Sequence, residues 1–573
     1  ALGYLDQQTM ALPYHVLDRP RTLILGAGGG ADVLRALYHR APRIDAVELN
    51  PDLIALVRGE FARFAGGIYD RTDVTVHSAE ARSFVQASER SWDLIQVALL
   101  DSFTAAAAGV QALGETPLYT VEALRSYYAH LGPGGLLAVT RWLRSPPSDP
   151  IKLFATAIVA LEQAGVSSPG DRLAMIHDWN TATLLVKEAP FDPAEIARMR
   201  AFAEARSFDV AWFSGIREAE ANRFNRQEEP SLYRAATELL GPERERFLRI
   251  YKFHIEPATD DRPYFFRFFK FELLPELFAL RAQGGLAQAD TGYLVVLAAL
   301  VQAGFASLVL ILLPLAALRT RAPRAEPAQA RPAVAARWRV AVYFLALGFG
   351  FMFIEISFIH RFTTFLGHPL AAIAVVLAAF LIFAGLGSGI AAEIEERRRA
   401  AVAIAVGGII LFAGTYLVVL PVWLPELIAW PFPAKAAVAL LLIAPLGVAM
   451  GMPFPLGLAR VAARTPGLVP WAWAINGCAS VVGAVLASLL AMHVGFTVVV
   501  CLALALYAMA VLAFEAGSPR PAAIESGPET RAGVEAPAHR VGEARPPALD
   551  QSPEATARPA AVSGIPASGA PMA

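Results

Sequence analysis

The sequence predicts an α/β domain built on a parallel-rich sheet, then an all-α bundle of about seven transmembrane helices, then a disordered tail. Three observations carry this expectation. Strands alternate with helices over the first 190 residues, charge-free apolar runs recur between residues 291 and 514, and the chain after about residue 517 is Ala/Pro/Glu/Arg/Ser low complexity. Of the 573 residues 55% are hydrophobic and only 17% charged, where an ordinary soluble protein carries roughly 25% charged residues. Mean hydropathy is +0.46. Two cysteines, Cys478 and Cys501, exclude a disulfide-stapled scaffold, and a net charge of −1 excludes a basic nucleic-acid binder. The chain opens without an initiator Met or a signal peptide, and we expect it to be a piece of something longer.

The first strand is Thr22–Leu25. It runs into the loop Gly26-Ala27-Gly28-Gly29-Gly30 and a helix over Asp32–His39. Strand two, Ile44–Glu48, is followed by Asn50-Pro51, a capping residue and a first-turn proline. Strands three and four are Val74–His77 and Asp93–Val97. A helix then covers Val121–Leu131, and Gly132-Pro133-Gly134-Gly135 turns the chain into strand five, Leu136–Thr140. Such alternation means a parallel sheet. Glycines let a backbone turn tightly and approach a ligand, and the following helix offers its N-terminus. Glu48 ends strand two, 22 residues after Gly26, where an acid can accept hydrogen bonds from both hydroxyls of a ribose. The candidate cofactor-binding residues are therefore Gly26, Gly28, Gly30 and Glu48, with Glu80 after strand three placed to reach an adenine amino group. NAD and S-adenosylmethionine both suit this geometry.

Helices are expected over Pro193–Arg206 and Ser231–Phe253. The pair Asp260-Asp261, bounded by Pro257 and Pro263, suits either a cationic acceptor site or a staple at the membrane junction. Phe265, Phe266, Phe268, Phe269 and Phe271, interleaved with Arg267 and Lys270, suit an interfacial segment at lipid headgroups. Histidines are scattered, no pair has metal-ligand spacing on one helix face, and no metal site is predicted.

Thr291–Leu318 is 28 residues without a charge, and Pro369–Ala392, Ala400–Pro425 and Ala436–Ala459 are 24 to 26. Thr465–Phe514 is 50, enough for two spans, since a bilayer core takes about 20 apolar residues per helix. Val340–Phe365 makes the seventh despite Glu355, His360 and Arg361. An intramembrane Glu355 needs a partner or a cavity, which leaves a structural ion pair and a transport role both open. Arg319–Arg339 (six Arg), Arg397–Arg399 and Arg460/Arg464 fall on one side of a seven-span bundle. The positive-inside rule would put that side in the cytoplasm and the α/β domain outside. Cofactor supply argues for a cytoplasmic α/β domain, which is the placement we expect.

The stretches Leu23–Leu37, Glu48, Trp92–Val97, Leu118–Glu122 and Leu131–Leu137 resemble the spermidine synthase (polyamine aminopropyltransferase) branch of the class I S-adenosylmethionine-dependent methyltransferase fold. Gly350–Glu355, Leu366–Pro369, Gly385–Ser388 and Trp473–Gly477 resemble the multi-span region fused to such domains in bacterial membrane-bound spermidine synthase-like proteins. The resemblance implies a Rossmann-like methyltransferase fold that binds S-adenosylmethionine or decarboxylated S-adenosylmethionine. Glu48 matches the family's ribose-binding acid, and Glu80 stands where an Asp binds the adenine amine. The acid that binds the methionyl amine is replaced by Gly29, with Asp32 one turn on as its candidate substitute. Of two Asp on the loop after strand four, the first place is Ala98 and the second is Asp101, the catalytic candidate.

The implied layout is a spermidine synthase/methyltransferase-like domain at 1–190, a helical extension and junction at 191–290, a transmembrane domain at 291–515 and a disordered tail at 516–573. The implied activity is a membrane-tethered transfer of an aminopropyl or methyl group to a small-molecule amine or other nucleophile, in a bacterial inner membrane. The alternative is a membrane transporter or sensor whose α/β domain binds a nucleoside ligand or polyamine without catalysis. The sequence does not fix an oligomeric state.

Overall fold

A computed structural model describes residues 2–100, 114–273, 275–276, 279, 291–313, 334–393 and 398–515. Eight strands form one sheet: β1 Thr22–Leu25, β2 Ile44–Glu48, β3 Val74–Ser78, β4 Trp92–Val97, β5 Leu131–Trp142, β6 Leu173–His177, β7 Thr181–Lys187 and β8 Asp209–Trp212. Their order across the sheet is β3-β2-β1-β4-β5-β7-β6-β8. β1 to β5 run parallel, while β7, β6 and β8 join by antiparallel pairing. This is the Rossmann-like methyltransferase architecture that the sequence predicts. Side chains alternate between two buried faces: Leu23, Leu25, Ile95 and Leu137 pack into one core, Ile24, Ala46, Leu94 and Leu136 into the other. A sheet covered on both faces reads as continuous apolar runs, which is why these strands are legible in the sequence.

The principal helices of this part are α1 Ala31–Tyr38, α2 Pro51–Arg58, α3 Ala81–Gln86, α4 Val121–Ala129, α5 Asp149–Gln163, α6 Pro193–Arg206, α7 Ser231–Leu240 and α8 Arg244–Ile250. Several expected boundaries need correction. The helix expected over Ser231–Phe253 is broken, because Gly241-Pro242 ends α7 and α8 stops at Ile250. Strand five begins at Leu131, and Gly132–Gly135 bulges out within it where Trp92 pairs Leu131 and Leu94 pairs Leu136. The sheet also continues past residue 190 through β8, a four-residue strand too short to signal itself in the sequence. Asp209 opens β8 and accepts from the backbone N–H groups of Arg223, Phe224 and Asn225.

Among the described residues, seven helical segments are long and apolar enough to cross a membrane, which is consistent with an integral membrane protein. They comprise α9 Thr291–Ser307 with its continuation Leu308–Leu312, α10 Val334–Leu366, α11 Pro369–Glu393, α12 Arg398–Glu426, α13 Phe432–Gly451 with α14 Pro453–Arg464, α15 Val469–Val494 and α16 Phe496–Glu515. The fifth segment is interrupted at Met452, since Pro453 withholds its N–H and restricts the residue before it. Gly495, at φ +88°, turns α15 directly into α16. Helix α10 is the central one, packing along both α15 and α16. The tail expected over 516–573 and most of the Arg-rich connector lie outside the described residues.

The segment between the two parts corrects the interfacial reading. Phe265, Phe266 and Phe268 are buried in the core of the α/β part and Phe269 in that of the bundle, leaving Phe271 exposed. Cations inside the protein take the role expected of headgroups. The Arg141 guanidinium lies 4.7 Å from the centre of the Phe266 ring, and Lys152 Nζ donates to the carbonyls of Tyr264 and Arg267. Arg267 reaches the other way, to the carbonyl of Met492 at 2.5 Å and to His493 Nδ1 at 2.8 Å.

Near the N-terminus, Asp6, His15 and His39 offer three ligand atoms within 4.8 Å of one another, a grouping that helix-face spacing does not reveal. Arg206 also pairs with Asp6 and supplies positive charge there. Burial pushes the His39 imidazole down to about 4, and that of His254 to about 4. The unfolded value is about 6.5, so the unfolded chain binds more protons between pH 6.5 and 4. Stability then falls as pH drops through that window. Thermal unfolding followed from pH 7 to pH 4 should show this fall, and His39→Gln should flatten it.

Candidate functional site

The order of strands reverses beside β1, and the crevice outside the carboxyl ends of β1 and β4 is where such sheets take ligands. The glycine loop occupies that point. Gly26 and Ala27 both donate backbone N–H groups to the Val47 carbonyl at 2.9 Å, which ties the loop to the end of β2. Gly26 (φ +82°) and Gly30 (φ +90°) hold left-handed conformations, and a Cβ on either would collide with Leu100 or Ile68. Only glycine meets both demands. At Gly29 a Cβ would meet nothing within 4 Å, so the outer side of the loop is open.

Glu48 sits at the tip of β2, 9% exposed. Its Oε2 accepts from Gly28 N at 2.8 Å and its Oε1 from Asn50 N at 2.9 Å. A carboxylate has about four acceptor positions, so each oxygen keeps capacity for a ligand hydroxyl. Tyr69, unforeseen in the sequence, braces the other side by donating its hydroxyl to the Gly28 carbonyl at 2.6 Å. Burial, helped by the charge of Glu48, pushes the Tyr69 phenol up to about 12, so it stays a donor.

Glu80 lies two residues past β3, whose last residue, Ser78, pairs with Glu48. It caps α3, accepting from Arg82 N at 3.0 Å and Ser83 N at 2.7 Å. The structure thus gathers Gly26, Gly28, Gly30, Glu48 and Glu80 along one edge of the sheet. Asp32 is otherwise engaged: its Oδ1 takes bonds from Arg35 and from Gln96, and it is buried. Asp101 lies outside the described residues, which reach Leu100 on that loop and resume at Gly114.

Next to this edge the α/β part meets the bundle. Ser83 Oγ donates to the Thr364 carbonyl near the end of α10. Arg82 clamps Asp260 through two bonds of 2.6 and 2.5 Å, and Thr120 adds a third at 2.8 Å. Burial pushes the Asp260 carboxyl up, but Arg82 outweighs it and holds the group below its usual range. Asp261 accepts from both N and Oγ1 of Thr497, capping the start of α16. Of the two roles open to this acid pair in the sequence, the structure shows the staple. His360 Nδ1 lies 2.5 Å from Glu115 and its Nε2 lies 3.0 Å from the Asp260 carbonyl. Two acceptors on one imidazole are satisfied together by a doubly protonated ring. Nothing in the sequence joins residues 115 and 360.

Compared with known proteins, the chain matches no family model. Among solved structures it is similar to the spermidine synthase from Thermotoga maritima, with 17% identity and a TM-score of 0.25. A spermidine synthase in complex with the transition state analogue AdoDATO matches with 15% identity and a TM-score of 0.26. Spermidine synthases and methyltransferases are its structural neighbours. The match covers 34% of this chain in both cases, and 65% and 66% of the two synthases. Human methyltransferase-like protein 13 in complex with SAH is similar at 16% identity, over 37% of this chain and 92% of that one, with a TM-score of 0.24.

Proposed function

We propose that this chain is a membrane-tethered transferase that uses S-adenosylmethionine or its decarboxylated form. It would move a methyl or aminopropyl group to an amine or other nucleophile. The observation that supports it is the glycine loop bonded to Glu48 at the switch point of the sheet, with its outer side open. Gly26, Gly28 and Gly30 let the backbone approach the ligand, Glu48 takes the ribose hydroxyls, and Glu80 takes the adenine amine. The bound sulfonium supplies an electrophilic carbon. Asp101 would hold and deprotonate the attacking nucleophile, since a base must lie within hydrogen-bond reach of that proton. In this layout residues 1–190 carry the cofactor, 191–290 join the two parts, 291–515 anchor the chain and 516–573 form the tail.

The experiment is titration calorimetry of the detergent-purified full chain with each sulfonium nucleoside, followed by mass spectrometry of candidate amine acceptors. Binding of neither nucleoside would sink the proposal. The reading places the α/β part in the cytoplasm of a bacterial cell, where the cofactor is made. The Arg-rich loops at the other end of the bundle argue the reverse. Labelling of a single cysteine introduced at exposed Trp179, from outside intact cells, decides the side.

A second reading rests on Glu355. It is 5% exposed inside α10 and, among the described residues, has no hydrogen bond or ion pair. An unpaired intramembrane acid favours a transporter or sensor with a nucleoside-binding α/β part. Uptake into vesicles abolished by Glu355→Gln would support that reading over the first.

A further inference from the structure

A cavity of about 410 Å³ lies where the α/β part meets the bundle, a size that suits a small ligand or a headgroup. Its lining is divided. Leu420 and Leu424 of α12 and Ile428 just beyond it, with Phe365 and Phe496, give it an apolar side at the helix ends. Arg82, Glu122, Arg125, Asp260, Asp261, His360 and Arg361 give it a charged side.

Most of those charges are already matched. Asp260 is paired with Arg82, Asp261 caps α16, and His360 is met by Glu115. Arg361 and Glu122 are not. Arg361 makes one long hydrogen bond, 3.4 Å to the Tyr416 carbonyl, and no ion pair among the described residues. Glu122 accepts from Asp260 N at 2.9 Å and has no ion pair among the described residues. A partly buried guanidinium with no ion pair, near only the carboxylate of Asp261 that already caps α16, is a binding group for phosphate. A carboxylate on the same wall suits an ammonium.

The apolar wall has its own irregularity. Pro421 and Pro425 both line the cavity and sit inside α12. Each withholds an N–H, so the carbonyls of Leu417 and Pro421 lose their α-helical donors. Backbone of that kind is tolerated at membrane depth where it is buried in protein or lines a cavity.

We infer that this junction cavity holds the headgroup of a phospholipid that bears a primary amine, its phosphate on Arg361, its ammonium at Glu122 and its acyl chains along the apolar wall. The inference goes beyond the transferase reading, because it concerns binding alone and needs nothing in the glycine-loop crevice.

The test uses the full chain, purified in detergent and exposed to vesicles of equal parts phosphatidylethanolamine, phosphatidylcholine and phosphatidylglycerol. Lipid retained after washing is counted by mass spectrometry. The expected result is about one phosphatidylethanolamine per chain, enriched at least about tenfold over the other two. Arg361→Ala and Leu424→Trp, the second filling the cavity without touching a charge, should each lower retention about tenfold, and Glu122→Gln should erase the preference for the amine. Glu48→Ala should leave retention unchanged, which separates this inference from the cofactor reading. Equal retention of the three lipids overturns it, and so does retention indifferent to Leu424→Trp. Should Arg361→Ala fail to fold, the Leu424→Trp result decides alone.

Discussion

Replacing Glu48 with alanine is expected to weaken binding of either sulfonium nucleoside by about a hundredfold or more. The side chain does two things at once. Its oxygens hold Gly28 N and Asn50 N, which fixes the loop against β2. In the proposed cofactor reading, their remaining acceptor positions would take the two ribose hydroxyls. A hydrogen bond to a charged acceptor contributes about 1.5–3 kcal/mol, so losing two amounts to ~3–6 kcal/mol, or two to four decades of affinity. Glu48→Gln should fall between alanine and the parent, because it keeps one carbonyl acceptor. Calorimetric titration of the three proteins checks this. Affinity for Glu48→Ala within threefold of the parent would remove Glu48 from the cofactor site.

Asp149→Ala should cost the α/β part about 3–5 kcal/mol. Arg141 and Asp149 are both fully buried, with Arg141 Nη2 3.1 Å from Asp149 Oδ2 and Arg144 Nη2 2.9 Å from Oδ1. Burial pushes the Asp149 carboxyl up, but the two guanidinium groups outweigh it and hold it below the usual range. Removing one partner of a buried pair leaves charge behind in a poor solvent, which is why truncation costs about 3–5 kcal/mol. The sign with pH follows from the downward shift: the contribution is present above about pH 4 and is lost as pH falls through the folded value. At roughly 2–4 °C per kcal/mol for a domain of this size, the thermal midpoint should drop by about 10 °C. Scanning calorimetry at pH 7 reads it directly, and a drop under about 2 °C would contradict the assignment.

The parts of this fold that the sequence makes legible are those set by local rules. β1 and β2 appear with their observed limits because apolar runs ending in Gly26 and Glu48 have few other readings. The Asn50 cap and the start of α6 at Pro193 are likewise local. The loop residues and Glu48 could be placed together because one turn joins them to adjacent parallel strands. What stayed hidden was long-range. Arg82 meets Asp260 178 residues away, Ser83 meets Thr364 281 away, and Glu115 meets His360 245 away. No periodicity encodes such pairs. The aromatic run at 265–271 was misplaced for the same reason: its composition fits a headgroup layer, and only the fold shows Arg141 and Lys152 waiting inside.

The way β8 and the Phe265–Phe268 stretch complete the α/β part has a practical corollary for anyone who wants that part in isolation. A fragment ending at residue 190 would strip β8 from β6 and leave a naked, apolar sheet edge, a template for intermolecular pairing. It would also pull three phenylalanines out of the interior. Such a piece should precipitate or form ladders on a sizing column. A cut beyond Lys270 keeps edge and interior closed, and the surface left bare is the one that normally rests on the helix ends.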